Sequence, residues 1–392
     1  MPDGADAIHI EVISEIAQVD AADWNACAGD DDPFISHAFL DALEQSGSAV
    51  GERGWLPQHL VARNSDGRVL GATPLYLKSH SYGEYVFDWG WADAYERAGR
   101  QYYPKLQCAV PFTPVTGPRL LINQELPAAS RNEVAHTLIA GLTEVARRHD
   151  VSSLHVTFPT EDEREHLAEA DFLPRIGLQY HLHNPGYQSF DDFLAALQSR
   201  KRKQIKRERR EVADAGLKLR RLTGSDIEPR HWDAFYAFYL RTADKRWGFP
   251  YLTEEFFHEI GRRMPERILL VMAEEADGTP VAGALNLIGR HALYGRNWGA
   301  IEDYDFLHFE ACYYQAIEFA IERGLSRVEA GAQGEHKIQR GYLPVATHSA
   351  HWITDPALEQ AVDDFLKRER RAVEAQIVGL REQHSPYKHA DS

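Results

Sequence analysis

LVARNSDGRVLGATPLYL, residues 60–77, and LVMAEEADGTPVAGALNL, residues 270–287, share one pattern. Each is an apolar run, an Asp-Gly pair, and a second apolar run containing glycine. Asp-Gly between two such runs predicts a hairpin, because glycine accepts the positive φ of a tight hairpin turn. A second pair of segments follows in the same order. LTEVARRHDVSSLHV, residues 142–156, and IEFAIERGLSRVEA, residues 317–330, each read as the end of a helix, a short break and a strand. Hairpin, helix and strand twice in one order predict two copies of one α/β module, each a mixed and mostly antiparallel sheet flanked by helices.

The length fits this reading. A chain of 392 residues is too long for one ordinary domain and suits two of about 150–200 residues. The expected division is residues 1–183 and 184–380, with the junction at His183-Asn184-Pro185-Gly186, where Asn-Pro and Pro-Gly both punctuate. Residues 381–392 read as a polar, disordered tail. Hydrophobic content of 44% and charged content of 26% are those of a globular protein. No apolar run reaches the ~18–20 residues of a membrane span. The start, MPDGADAIHIEVISEI, has no basic segment and no apolar core, so it does not read as a signal peptide. Cys27, Cys108 and Cys312 lie far apart and form no CxxC pair. A reducing cytoplasm is the expected compartment.

Local signals place the elements. Residues 8–14 alternate as a strand, and residues 20–45 are helical, with Ser36 as a cap. Residues 80–120 form a long aromatic stretch with Pro and Gly, the kind of irregular segment that often carries function. Ser130 and Glu133 match a capping box at the head of a helix ending near His149. Ser189 starts the next helix. Gly324 ends the one before residues 327–330, and Asp355-Pro356 starts the last.

Net charge is −16, which argues against wholesale nucleic-acid binding and makes a concentrated basic patch informative. SRKRKQIKRERRE, residues 199–211, is such a patch. Arg202 and Lys206 share a helix face, as do Lys203, Arg207 and Arg210. An array of this kind suits the phosphates of a nucleotide-linked substrate, of coenzyme A or of RNA. The plainer reading is a solvated face with Glu208 and Glu211 as partners. VEAGAQGEHKIQRGY, residues 328–342, ends a strand in a glycine-rich turn holding Glu329, Gln333, Glu335, His336 and Lys337. Strand ends of α/β sheets are usual ligand sites. Lys245 and Trp247 in DKRWG, and Asn297 and Trp298 in NWG, are further binding candidates. No GxGxxG, GxxxxGK[ST], GxSxG or HExxH occurs. His181-Leu182-His183 lacks a further ligand group nearby, so no metal is expected.

The second half resembles the FemAB-like branch of the GNAT acyltransferase superfamily. The resemblance rests on SRKRKQIKRERREV, DKRWGFPYL and HFEACYYQAIEFAIERGLSRVEAGAQGEHKIQRGY. EYVFDWGWADAYERAG and YYPKLQCAVPFTPVTGPRLL in the first half are similar to the bacterial peptidoglycan-biosynthesis-like subgroup. The resemblance implies two tandem GNAT-like domains and an N-acyltransferase. It implies acyl-CoA or aminoacyl-tRNA as co-substrate, with no tightly bound cofactor. The acceptor would be the amine of a cell-wall precursor or small metabolite. Glu329 or His336 would take the proton from that amine, and Lys337 would pair with a phosphate or carboxylate. Arg202, Lys203, Lys206, Arg207, Lys245, Trp247, Asn297, Trp298 and Gln333 would bind substrate. One departure stands out. Acyl-CoA users carry an [RQ]xxGx[GA] loop between a strand and a helix, and the nearest match here, residues 296–301, ends in Ile301. The other reading is a GNAT-fold protein that binds a phosphate-bearing ligand without catalysis.

Overall fold

The computed structural model describes residues 7–246, 249–332 and 334–388. The chain gathers into two compact units. The first is Met1–Gly177 with Ala346–Glu374, and the second is Leu178–Val345 with Ala375–Ser392. Residues 346–374 thus belong with the N-terminal unit, although their place in the sequence suggests the other. The pattern of a local segment does not carry the identity of a strand partner some two hundred positions away.

In the first unit, β1 (His9–Ile13), β3 (His59–Arg63), β4 (Val69–Thr73) and β7 (Leu121–Ile122) form an antiparallel sheet. The predicted hairpin is β3–β4. It turns at Asn64–Gly67, where Gly67 has φ 83°. Pro74 interrupts the second strand, and β5 (Leu75–Lys78) continues it into another ladder. There β2 (Trp55–Pro57) pairs β5, β5 pairs β6 (Lys105–Cys108), and β6 runs parallel to β8 (Ser153–Thr157). Ser349–Ile353 of β15 (Leu343–Ile353) close the far side against β8. Helices α1 (Ala21–Ala28) and α2 (His37–Gln45) precede the hairpin; Ser36 caps α2 by accepting from Phe39 N–H at 3.3 Å. Helices α3 (Trp89–Arg97), α4 (Ala128–Arg148) and α5 (Glu161–Glu169) follow. Helix α4 begins at Ala128 behind Pro127, so Ser130 and Glu133 are inside it and form no capping box. The box belongs instead to Thr160 and Glu163 at α5. Leu75, Leu106, Cys108, Leu154 and Val156 face Val134, Leu138 and Leu142 of α4 across the main core.

The second unit holds the later residues of β9 (Leu173–His183). Helices α6 (Phe190–Ala196) and α7 (Ser199–Asp214) come next, then β10 (Lys218–Thr223), α8 (Pro229–Arg246) and α9 (Glu254–Arg263). Its ladder runs β10, β11 (Ile268–Glu274), β12 (Pro280–Ile288) and β13 (Ala292–Ala300), all antiparallel. β14 (Arg327–Glu329) is parallel to β13, and His181–His183 complete the order. The second hairpin is β11–β12, with Gly278 at φ 89°. Helix α10 (Leu307–Phe309), a π-turn at Glu310–Tyr314 and α11 (Gln315–Glu322) form one helical run that packs Ala316, Ile317 and Ala320 on Leu293, Val328 and Leu182. Helix α8 covers the other face. A side chain at Gly299 would meet the Phe238 backbone at 2.2 Å, so only glycine lets α8 lie this close. The last helix, α12 (Pro356–His384), is capped by Asp355.

Residues 381–388 are not a disordered tail. The helix runs to His384, and the segment beyond is pinned to the second unit. Tyr387 OH donates to Gly341 O at 2.7 Å, and Gln198 N–H donates to Pro386 O at 2.9 Å. A buried proline and a tyrosine anchor outweigh the polar composition that suggested disorder.

Candidate functional site

The second unit's site begins where two parallel strands separate. β13 pairs β14 only through Ala292–Tyr294 and Arg327–Glu329. Asn297 sits opposite Leu285 and Gly295 opposite Asn286, so Arg296 is the extra residue of a bulge. β14 ends at Glu329, and Gly331 turns the chain with φ 77°. A 3₁₀ turn, Glu335–Arg340, follows between Gly334 and Gly341, both at positive φ.

Strand alternation sorts the candidate residues onto two faces. Val328 packs in the core with α11, so Glu329 points to the α8 side. There it shares a cross-strand row with Tyr294 and His181. Arg327 Nε donates to Glu329 Oε1 at 2.8 Å, and His181 Nε2 lies 3.6 Å from Oε2. Burial first, with Arg327 next, pushes the His181 imidazole down to about 3, so it is neutral at pH 7. Asn297 opposes Leu285 and falls on this face too. His336 is elsewhere. It packs among Tyr313, His308 and Phe309, and its Nε2 is 3.0 Å from Tyr313 OH. Trp298 meets His308 edge-on at 5.4 Å and joins this aromatic group. Lys337 is 2% exposed and its Nζ donates to Gly331 O at 2.9 Å. Burial pushes that amine down to about 8. The structure therefore brings Glu329 together with Asn297's face, and His336 together with Trp298. Gln333 and Trp247 lie outside the described residues, and Lys245 lies in the last turn of α8.

The basic segment is α7. Ile205, Glu208 and Val212 are its buried stripe. Lys203, Lys206 and Arg207 are exposed and Arg202 is half-buried. Lys206 is 3.6 Å from Asp191, and Arg207 is 3.5 Å from Glu211. Arg209 is half-buried, donating to Glu310 and Glu318 at 3.1 Å. Residues 296–300 of the nearest acyl-CoA loop match lie in strand β13. The segment that does join β13 to the next helix, residues 301–306, exposes Glu302, Asp303 and Asp305. Among the described residues, Asp233, Glu254 and His258 bring ligand atoms within 4.8 Å of one another. Two of the three are exposed, and a His258–Asp233 pair at 3.0 Å accounts for the grouping.

The first unit holds a second polar constellation that sequence reasoning missed. On the face of β5, β6 and β8 away from α4, Lys105 is fully buried and donates to Ser81 and Glu84, each at 2.7 Å, and to Asp88. Tyr102 OH donates to Asp88 at 2.8 Å and lies 3.2 Å from His155 Nε2. His155 Nδ1 meets His351 Nδ1 at 2.7 Å. Lys78, also fully buried, sits 3.5 Å over the Trp55 ring, and burial pushes its amine down to about 7. Glu84 is pushed up to about 7, again by burial first. The signal was present as alternation in YLK, KLQ, SLHVT and SAHWI. Alternation reports two different faces but not whether the polar one meets water.

Two sheet-and-helix units, each with a parallel strand pair late in its order, define a tandem GNAT architecture. The chain belongs to the FemAB_like family, described for peptidoglycan biosynthesis/recognition, whose model matches residues 15–389. Among solved structures, FemX is similar over 91% of this chain and 100% of its own, at 12% identity and TM-score 0.55. The C-terminal domain of a protein from Agrobacterium fabrum classed as a lysylphosphatidylglycerol synthetase is similar over 90% and 96%, at 9% identity and TM-score 0.51. A tandem GNAT protein from the clavulanic acid pathway covers 89% and 99%, at 12% identity and TM-score 0.47. No curated protein sequence matches. Among the described residues, no helix is long and apolar enough to cross a membrane.

Proposed function

We propose that this chain transfers an aminoacyl group from a charged tRNA to the amine of a peptidoglycan precursor, with the reacting groups in the second unit. The observation that carries the choice of donor is a contrast of charge. The segment leading from β13 to the next helix exposes Glu302, Asp303 and Asp305, which would repel the pyrophosphate of an acyl-CoA. Helix α7 instead presents Arg202, Lys203, Lys206 and Arg207, a surface suited to a phosphate backbone. Charged tRNA is made in the cytoplasm, so this donor places the reaction there.

Transfer of an activated acyl group to an amine needs the amine deprotonated, the ester carbonyl polarised and both groups aligned. Glu329, on the α8 face beside neutral His181, is the candidate base on one side of the sheet. His336, held by Tyr313, is the candidate on the other. Backbone N–H groups around the bulge at Arg296 would polarise the carbonyl, and Asn297 and Trp298 follow that bulge along β13. Lys337, a buried amine pushed down to about 8 by burial, ties the turn together through Gly331.

The test is direct. Protein, radiolabelled aminoacyl-tRNA and a muropeptide with a free amine should yield labelled peptide, while acetyl-CoA in place of the tRNA should not. The double change Arg202→Glu with Lys203→Glu should weaken tRNA binding and flatten its dependence on salt. Its stability should stay within about 1 kcal/mol, since each exposed charge contributes little. Binding of tRNA or muropeptide without transfer would favour a recognition protein. Transfer from acetyl-CoA would overturn the choice of donor.

A further inference from the structure

The most deeply buried charge on the basic helix is an acid. Glu208 is 1% exposed and occupies the stripe of Ile205 and Val212, where an apolar residue is expected. Its carboxylate accepts from Gln204 Nε2 at 2.9 Å, from Tyr314 OH, and from Arg340 Nη2 at 2.9 and 3.1 Å. Arg340 is 4% exposed and closes the 3₁₀ turn that carries His336 and Lys337. Its Nη1 donates to His336 O at 3.0 Å, and its guanidinium stacks 3.3 Å from the centre of the Phe309 ring. The adjacent residue of the π-turn completes the arrangement. Tyr314 holds Glu208, while Tyr313 is 3.0 Å from the imidazole of His336. π-turns inside helices recur at functional sites. An apolar residue at position 208 would pack α7 at least as well, because a buried ion pair is seldom the most stabilising choice. What the pair adds is a rigid, directional link from helix α7 to the backbone and ring of one histidine.

We infer that Glu208, Arg340 and Tyr314 are positioning residues that set His336 from helix α7, so that a phosphate backbone lying on α7 alters the environment of that imidazole. The inference rests on the proposed reading for the ligand but not for the link itself. Arg340 spans the distance because its planar fork bonds a carboxylate and a carbonyl at once, which lysine cannot copy. A shift of α7 under its ligand moves the Glu208 carboxylate, and Arg340 carries the shift to the His336 carbonyl.

The experiment uses the full chain with histidine labelled at Cε1 and His336 assigned through His336→Gln. Each variant is titrated by NMR without ligand, and again with bulk tRNA at low salt. Tyr314→Phe removes one hydrogen bond and keeps the ion pair, so it serves if Glu208→Gln folds poorly. In Glu208→Gln and, more weakly, Tyr314→Phe, the His336 titration midpoint should move while the signals of the first unit's histidines stay where they are in the wild-type chain. Backbone amides of residues 335–341 should exchange at least about tenfold faster. tRNA should shift the wild-type His336 signal, and in Tyr314→Phe it should bind with that shift reduced. An unchanged His336 midpoint and unchanged exchange in both variants would overturn the link. So would a loss spread evenly over all histidines. If tRNA fails to bind the wild-type chain, the donor reading and the ligand half of the inference fall together, and the ligand-free titration still decides the link.

Discussion

The two units build the same piece of sheet and use its polar face differently. In each, a parallel strand pair turns an apolar face to a helix: β6–β8 against α4, and β13–β14 against α11. In the first unit the opposite face is sealed. Lys78, Lys105 and Gln107 have no exposure, and Lys105, Glu84, Asp88, Tyr102, His155 and His351 form one bonded chain. In the second unit the equivalent row is Tyr294, Glu329 and His181, and the cation beside it, Arg327, keeps 32% of its side chain in water. A sealed polar face must neutralise itself completely, and its groups are then committed to one another. The row of Tyr294, Glu329 and His181 is buried as well, but it reaches solvent through the part-exposed guanidinium of Arg327.

The sharpest way to break this comparison is to remove one cation from the sealed face. Lys105→Met leaves Asp88 buried without its ammonium and Glu84 with only Lys78 at 3.8 Å, which should cost about 3–5 kcal/mol in equilibrium denaturation. Glu329→Gln should cost less, about 1–3 kcal/mol, because Gln keeps the size of the side chain and the Arg327 left behind can reach water. Equal losses would erase the distinction between a structural and a working face. The next largest effect is catalytic. With the reaction in hand, whichever of Glu329→Gln and His336→Gln removes the base should lower turnover by about 10²-fold while the protein stays folded at the assay temperature. If both retain wild-type rates, the proton leaves by another route.

The smallest effect sharpens the contrast through pH. Burial holds His155 down to about 3 and His351 well below its ordinary value. Both take up a proton on unfolding more readily than in the fold. Their contribution is intact above the unfolded value near 6.5, and it drains away as pH falls towards 3. Glu84, raised to about 7, acts with the opposite sign between about 4.5 and 7, since the fold favours its protonated form there. The histidine share is therefore read by difference. His351→Asn should flatten the acid loss of stability below pH 6.5 relative to the wild-type chain. A parallel pair of stability–pH curves would show that the imidazoles are not held neutral.

Much of the fold was legible because it is written locally. Asp66-Gly67 and Asp277-Gly278 turn hairpins, and Ser36 and Asp355 cap helices through their own side chains. The misassigned box at Ser130 shows the limit of such signals, for Pro127 starts the same helix earlier. The glycine-rich turn stood out in the sequence, but its division between two faces did not. Glu329 and His336 are close along the chain, and only the strand's alternation against a known core separates them. The Lys105 network was illegible for a different reason. Its members come from strands β5, β6, β8 and β15, each of which alone looks like an ordinary strand with a wet side, and from the irregular stretch between β5 and β6, whose partners no local pattern names.

The return of Ala346–Glu374 to the first unit bears on how the protein is made. His351, the partner of His155, leaves the ribosome only after the whole of the second unit's main stretch, Leu178–Val345, has been synthesised. Domains that are contiguous in sequence can finish folding in the order they emerge. Here the N-terminal half must wait, its polar face unsealed, until nearly all of the chain is outside the tunnel. A fragment ending near residue 183 would carry that open face permanently, so the early half should depend on chaperones during synthesis and should not be obtained alone in soluble form.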